Sequence, residues 1–334
     1  MNARIKDVAK KSGVSVATVS RVLNGGENVS DKLKKTVLKA IEELNYSPSH
    51  IARSLVTKKT NIIGVIVPDL TSSFFSTILS SIEENASANN YNIMVCNIAE
   101  DLDKELKYLN LFKQIRVDAM IVMHEKTDDR IKQLISGLQM PVVFCSCRAE
   151  GMDVLSIIIN DYAATYDATK YLIDLGHRNI AYLGGDLRDI TSGENRYEGY
   201  KKAMLDNGLL LNEQYIQFGD YKIQSGYTLM EGVLRCNPKP TAILAASDDM
   251  AVGALGCIID KGYKVPDDFS VMGFDGSSMT EIVRPRLTSM HQPIKEMGAM
   301  AIKILMEHLE ENSDFLDQIV LKHKIVERES CKRL

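Results

Sequence analysis

Ile5-Lys-Asp-Val-Ala-Lys-Lys-Ser-Gly-Val-Ser-Val-Ala-Thr-Val-Ser-Arg-Val-Leu-Asn24 reads as two short helices meeting at a tight turn. Ile5, Val8 and Ala9 recur at helical spacing and make one apolar face. Gly13 follows, a residue that enters left-handed backbone without a side-chain penalty. Ser15 is placed to cap a second helix by accepting a bond from its early N–H groups. In that helix Val19, Val22 and Leu23 face the first helix, which leaves Val16, Ala17, Ser20 and Arg21 on the outside.

Such a pair fits a helix-turn-helix, whose second helix enters the major groove of DNA. The outward set suits that task. Arg21 can chelate a guanine edge, Ser20 can reach a phosphate or base, and Val16 or Ala17 can touch a thymine methyl. The helix pattern alone fits equally a small helical hairpin packing on its own domain.

Charge divides the chain into unlike parts. Residues 1–60 hold 12 Lys+Arg against 5 Asp+Glu, a net of +7, while the remainder holds 28 against 39, a net of −11. A basic module on an acidic body is the distribution a phosphate backbone selects, and it confines DNA contact to the N-terminal part. Lys32, Lys34, Lys35 and Lys39 also fit a merely solvated helix face.

The 334 residues suffice for two or three cores, and no stretch approaches the apolar length of a membrane span. Met1-Asn-Ala-Arg-Ile-Lys-Asp7 lacks the apolar core of a secretory leader. Of the six scattered cysteines, Cys145 and Cys147 are too close for an ordinary disulfide, and Cys96 and Cys145 sit in strand-like apolar runs as buried thiols. A cytoplasmic location is expected.

After the hairpin, Gly25-Gly26 predicts a turn, and Ser30-Asp31 caps a third helix, Lys32 to Leu44, with Leu33, Val37, Leu38, Ile41 and Leu44 on its apolar side and Asn45 as its stop. Ser47-Pro48 starts a two-turn helix through Val56, too short to stand without a partner. From residue 62 the grammar becomes strand then helix at a period of about 30 residues, the pattern of doubly wound parallel sheets. Strands are expected at 62–68, 92–96, 119–123, 141–145, 157–159, 180–183, 216–218, 242–245 and 270–274, with two short ones near Ile319 and Ile325. The expected fold class is therefore α/β: a three-helix headpiece and hinge helix, then two doubly wound parallel-sheet lobes. A ligand cleft is expected outside the strand ends, at 69–75, 124–125, 146–148, 160–161, 184–196, 247–248 and Asp275.

Several runs together resemble the LacI/GalR family of transcriptional regulators. They include Ile5 to Ala9, Gly13 to Asn24, Ile41-Glu-Glu-Leu-Asn-Tyr-Ser-Pro48, Ala52-Arg-Ser-Leu55, Ile63-Gly-Val-Ile-Val-Pro-Asp69, Leu175-Gly-His-Arg-Asn-Ile180, Asp248-Asp-Met-Ala-Val-Gly253 and Met272-Gly-Phe-Asp275. The resemblance runs from residue 2 to about 330. It implies a homodimer reading a pseudo-palindromic operator, with DNA contacts also at Ile5, Ser15, Thr18, Asn24, Asn28 and Tyr46. It implies that residues 48–56 form a hinge helix in the minor groove, with Leu55 as a wedge flanked by His50, Ala52 and Arg53.

The same resemblance implies lobes of periplasmic-binding-protein type, 61–161 with 291–322 and 162–290 with 323–330, behind a headpiece of 1–47 and a linker of 48–60. Positions matching effector contacts are Asp69, Ser73, Phe74, His124, Ser146, Asn160, Arg196, Tyr221, Asp248 and Asp275. Asn160-Asp161 inverts the family's usual order, so an amide stands where a carboxylate acceptor is usual. The effector class implied is a sugar or sugar phosphate. Val283-Arg-Pro-Arg-Leu-Thr-Ser289 and Gln292-Pro293 also resemble catabolite-control regulators, whose corepressor is a phosphorylated carrier protein.

Two other classes compete. A solute-binding protein needs no +7 headpiece. An enzyme needs a reactive constellation, and no phosphate-binding P-loop, Ser-His-Asp set or HExxH motif is found, so neither catalysis nor a cofactor is expected. His177 reads as a structural helix-end residue. Replacing Arg21→Ala is expected to weaken specific operator binding by about 1–3 kcal/mol and to relax one base position, read by gel shift on wild-type and point-changed duplexes.

Overall fold

The computed structural model describes residues 3–23, 29–46, 59–124, 126, 128–311 and 318–334. They form two compact units, Met1–Thr60 and Asn61–Leu334. The expected turn at Gly25-Gly26 and the hinge helix at 48–56 lie outside the described residues, as do Asn24, Asn28, His50, Ala52, Arg53 and Leu55.

The first unit holds α1 (Ile5–Ser12), α2 (Val16–Leu23) and α3 (Asp31–Glu43). Gly13 ends α1 at φ 70°, and Asn45 follows α3 at φ 48°. Val8, Ala9, Val19, Val22, Val37 and Ala40 are buried together. Two expectations fail in α3. Leu38 is 48% exposed, and Ala40 takes the inward place beside Val37, which is buried as expected. Ser30 stands at the N-cap, but its side chain makes no capping bond.

The second unit contains two six-stranded sheets. The first is built from β1 (Ile62–Val67), β2 (Asn92–Asn97), β3 (Ala119–Val122), β4 (Val142–Cys145), β5 (Leu155–Ile159) and β11 (Gln318–Leu321), in the order β11-β5-β4-β3-β1-β2. All its pairings are parallel. The second joins β6 (Ile180–Gly184), β7 (Ile216–Phe218), β8 (Ala242–Ala245), β9 (Ser270–Asp275), β10 (Thr288–His291) and β12 (Lys324–Val326), in the order β12-β10-β9-β8-β6-β7. Only the β10–β12 pair is antiparallel. The chain passes between sheets three times: after β5, after β10, and between β11 and β12.

Helices cover both faces: α4 (Ser73–Ala88), α5 (Leu102–Ile115), α6 (Asp129–Ser136), α7 (Asp161–Asp174), α8 (Asn195–Asp206), α9 (Ile223–Val233), α10 (Asp248–Asp260), α11 (Met279–Ile282) and α12 (Ile294–Glu311). Sequence periodicity did not anticipate α6, α11 or β10. Each is short, and β10 holds the polar residues Thr288 and Ser289, both fully buried. β1, β3, β4 and β5 are near-continuous apolar runs because both faces are covered. His177 is buried between Thr241 Oγ1 at 2.9 Å and the Lys332 carbonyl at 3.2 Å, a tie between α7's end and the C-terminal segment. All six cysteines are free. Among the described residues no helix is long and apolar enough to cross a membrane.

α9 and α10 cross at paired glycines. A Cβ on Gly253 would sit 1.9 Å from the Ile223 carbonyl oxygen, and one on Gly226 would sit 2.1 Å from the Met250 carbonyl oxygen. Gly256, one turn along α10, meets only Tyr227 at 3.8 Å. Gly253→Ala is expected to cost about 1–3 kcal/mol through overpacking, whereas Gly256→Ala gains about 0.5–1 kcal/mol of helix propensity. Urea unfolding of the two variants checks the contrast.

Candidate functional site

In the headpiece, Ser15 Oγ accepts from the Thr18 N–H at 3.1 Å and shares a hydrogen bond with Thr18 Oγ1 at 2.9 Å. The cap starts α2 directly after the left-handed Gly13 turn, and Val19 and Val22 then anchor the helix on the core. Ser15, Val16, Ala17 and Arg21 are left exposed, with Thr18 and Ser20 half-buried. That face carries one guanidinium and two small apolar groups, the chemistry that reads guanine and thymine edges. Ile5 and Tyr46 are half-buried and pack against the headpiece core, so packing claims part of each side chain.

In the second unit a cavity of about 430 Å³ lies between the two lobes, lined from the ends of β1, β2, β3 and β4 on one side and β6, β7, β8 and β9 on the other. Its size suits a small molecule. Of the ten candidate positions, Asp69, Phe74, His124, Ser146, Arg196, Tyr221 and Asp275 line it. Ser73, Asn160 and Asp248 do not.

Each of the three has another task. Ser73 opens α4, and its hydroxyl donates to Asp249 Oδ1 at 3.0 Å, a bond from lobe to lobe. Asn160 is exposed and caps α7, accepting from the Ala163 N–H at 3.0 Å. Asp248 is fully buried, accepting from the Ser277 N–H at 2.6 Å and the Ser289 hydroxyl at 2.6 Å. It thereby fixes the loop after β9 to β10, and burial pushes its pKa up to about 7. The inverted Asn160-Asp161 pair gains a physical explanation. The amide is spent on the helix start, and the next residue, Asp161, turns inward as a buried carboxylate.

Asp161 meets Arg196. The guanidinium Nε donates to Asp161 Oδ1 at 2.7 Å and Nη1 to the Ala246 carbonyl at 2.6 Å, with Asp275 Oδ1 3.9 Å away and the Phe274 ring stacked at 3.8 Å. Burial raises the pKa of Asp161 against the pull of Arg196. Burial also raises that of Asp275, opposed by Arg196 and reinforced by Asp248. Asp275 accepts from Gln292 Nε2 at 2.8 Å, next to a lobe crossing. Asp69 is oriented by Thr71, whose N–H and hydroxyl both donate to its Oδ1, at 2.8 and 2.7 Å. Phe74 packs edge-on against Phe75 at 5.2 Å, and Tyr221 donates to Ser192 Oγ at 3.0 Å.

Backbone strain gathers on the cavity wall. Glu100, Ser146, Tyr221 and Asp275 all have positive φ. Most of the other such residues are asparagines, which tolerate the conformation. Sequence reasoning missed Glu105, which is fully buried with Oε2 2.6 Å from His124 Nδ1. A signal existed: Leu102, Glu105, Leu109 and Phe112 share one helical stripe, which puts a carboxylate on the apolar face. Among the described residues His124 Nε2 has no hydrogen-bond partner, and no cluster suited to a metal is present. Lys126 and Asp249 also line the cavity without having been anticipated, and Asp189 does so from within the expected 184–196 segment.

A helix-turn-helix module followed by a two-lobed body with an interlobe cavity defines a ligand-binding DNA regulator. Residues 4–49 match the family model of bacterial regulatory proteins of the lacI family, and residues 60–329 match that of periplasmic binding proteins and the sugar binding domain of the LacI family. Catabolite control protein A of Priestia megaterium is 37% identical over 332 residues, covering 99% of this chain and 100% of that protein. The transcriptional repressor PurR of Mannheimia succiniciproducens is 35% identical over 333 residues, 99% of each chain. A crystal structure of the lac repressor dimer bound to operator and the anti-inducer ONPF matches with TM-score 0.89 at 27% identity, covering 99% of this chain and 100% of that one. The chain belongs to the LacI family, and it is a DNA-binding transcriptional regulator rather than an enzyme.

Arg196→Leu leaves Asp161 and Asp275 buried without their cation. The expected loss is about 3–5 kcal/mol near neutral pH. Both carboxyl groups already have folded pKa values above the ordinary one, so protonation favours the folded state and the defect shrinks as pH falls. Urea unfolding of variant and wild type at pH 5 and pH 8 checks both the size and the sign.

Proposed function

We propose that a small-molecule effector, a sugar or sugar phosphate, occupies the interlobe cavity and sets operator affinity by changing how the lobes close. The observation that carries the reading is that both lobes contribute polar strand ends to one cavity in a chain whose other module is a LacI-type headpiece. Phe74 offers a ring face for a sugar's C–H surface, and Asp69 and Asp275 offer acceptors for hydroxyls from opposite lobes. The matching model's description as a sugar binding domain supports that class. On this reading the moving bodies are 61–161 with 291–322 and 162–290 with 323–330, and the regulator acts as a cytoplasmic homodimer on a two-fold operator. DNA contact falls to Ser15, Val16, Ala17, Thr18, Ser20 and Arg21, with Leu55 as the minor-groove wedge.

A second reading, a phosphorylated carrier protein as corepressor, draws on the likeness to catabolite control protein A. The run Val283 to Ser289 is largely engaged within its own lobe. Arg284 donates to the carbonyls of Glu281, Ile282 and Val283, Arg286 pairs with Glu329, and Leu287 is core. Pull-down with a serine-phosphorylated carrier separates the two readings.

The direct experiment titrates the full chain on a promoter fragment across a panel of sugars and sugar phosphates. At least one compound is expected to shift the operator midpoint. Phe74→Ala is expected to raise that compound's half-effective concentration about tenfold while operator affinity without it stays put. Compounds that raise the melting temperature yet never alter operator binding would sink the effector reading.

A further inference from the structure

Lys126 follows β3 in the first lobe, and its Nζ lies 3.3 Å from Glu100 Oε2 of the same lobe. It also lies 3.2 Å from Asp186 Oδ2 and 3.2 Å from Asp189 Oδ1, both from the second lobe. The lysine side chain is 19% exposed. Lys126, Glu100 and Asp189 all line the cavity.

The backbone that carries these carboxylates is shaped independently of the lysine. Glu100 sits in a left-handed pair, Ala99 at φ 51° and Glu100 at φ 59°. Asp186 is gripped by Arg188, whose Nε lies 3.0 Å from both carboxylate oxygens and whose Nη2 lies 2.6 Å from Oδ2. Asp189 precedes a single π-helical turn, Ile190–Glu194, in which Gly193 packs so closely that a Cβ would sit 1.9 Å from the Asp186 carbonyl oxygen. π-Turns of this kind recur at functional sites. Residues 186–194 thus form a folded strap that carries Asp186, Asp189 and the cavity-lining Ser192.

We propose that Lys126 is an electrostatic clasp that fastens the second lobe's strap, residues 186–194, to the first lobe and so closes one wall of the cavity. One ammonium serves three carboxylates drawn from two lobes. Burial works against that ammonium, yet the three carboxylates together outweigh it and hold the lysine pKa above the ordinary value. The half-buried position limits screening by salt. Other polar ties also join the lobes near the cavity, Arg196 to Asp161 at 2.7 Å, Gln292 to Asp275 at 2.8 Å and Ser73 to Asp249 at 3.0 Å, but none of these three reaches the strap. Removing the ammonium leaves the exposed Arg188, on the strap itself, beside the three carboxylates, so a neutral side chain at 126 removes the cation that the first lobe contributes and leaves Glu100 facing Asp186 and Asp189 across the lobes.

Hydrogen exchange on the full chain tests the clasp without any ligand. In Lys126→Met, amides of 186–194 are expected to exchange about tenfold faster or more, while those of α9 and α10 keep their protection and report an intact fold. Lys126→Arg, which keeps the charge, is expected to stay close to wild type. Unchanged strap exchange in Lys126→Met overturns the proposal, and so does an arginine variant as fast as the methionine one. The clasp's effect on DNA rests on the function proposed above and is read separately, as the operator midpoint of Lys126→Met. A strap that opens with no change in that midpoint supports the clasp and rejects its coupling to DNA.

Discussion

The buried Arg196 guanidinium is the contact on which the ligand-binding unit turns. It joins Asp161 at the start of α7, the Ala246 carbonyl beyond β8, and Asp275 at the end of β9, with Phe274 beneath it. Asp161 stands where the chain first passes from one lobe to the other, and Asp275 is bonded to Gln292 at the second passage. One cation therefore registers three loop ends and reaches two of the three crossings, the first directly and the second through Asp275 and Gln292. Burying it is costly, and only a dense set of partners offsets the lost hydration. The set is dense: two hydrogen bonds, two carboxylates and a ring face. A cavity wall so fixed moves as a piece, which is what a lobe-closing mechanism requires.

Close backbone packing holds these loop ends at their places. The Gly226–Gly253 crossing brings α9 and α10 nearly into backbone contact, and Gly199 does the same for α8 against α7, where a Cβ would sit 2.3 Å from the Tyr162 carbonyl oxygen. Tyr221 precedes α9, Ser247 and Asp249 begin α10, and Arg196 rides on α8. The cavity's polar groups are thus set by helices that have no room to slide. Strain in the loops beside them, at Tyr221 and Asp275, is tolerable because the neighbouring helices are fixed.

Much of this was legible in the residues. Long apolar runs such as Ile62–Val67 and Ala119–Val122 announced covered parallel strands, and the Gly13–Ser15 turn announced α2. What periodicity could not show was which polar side chain turns inward. Asn160 and Asp161 are neighbours with opposite fates, decided by which one caps the helix. Asp248 and Asp249 differ likewise: the first is locked to Ser277 and Ser289, the second reaches the cavity. Glu105 shares its stripe with Leu109 and Phe112 and is fully buried with them. Lys126 and Asp189 sit in loops, where side-chain direction depends on partners distant in the chain. β10 escaped because Thr288 and Ser289 are buried polar residues, satisfied by Arg328, Ser330 and Asp248 rather than by water.

The energies involved are small enough for such a molecule to switch. The headpiece core consists of Val8, Ala9, Val19, Val22, Val37 and Ala40, all short side chains, with larger ones only half-buried around them. A core of that kind supplies a modest margin, since hydrophobic stabilisation follows the apolar area removed from water. Allosteric couplings typically amount to about 1–3 kcal/mol. A charged hydrogen bond made or lost at the cavity contributes about as much. The second unit need not unfold or reorganise anything large to change the outcome at DNA. On the proposed lobe-closing mechanism, two closures that differ by one or two contacts of the kind Arg196 and Asp275 already make are enough.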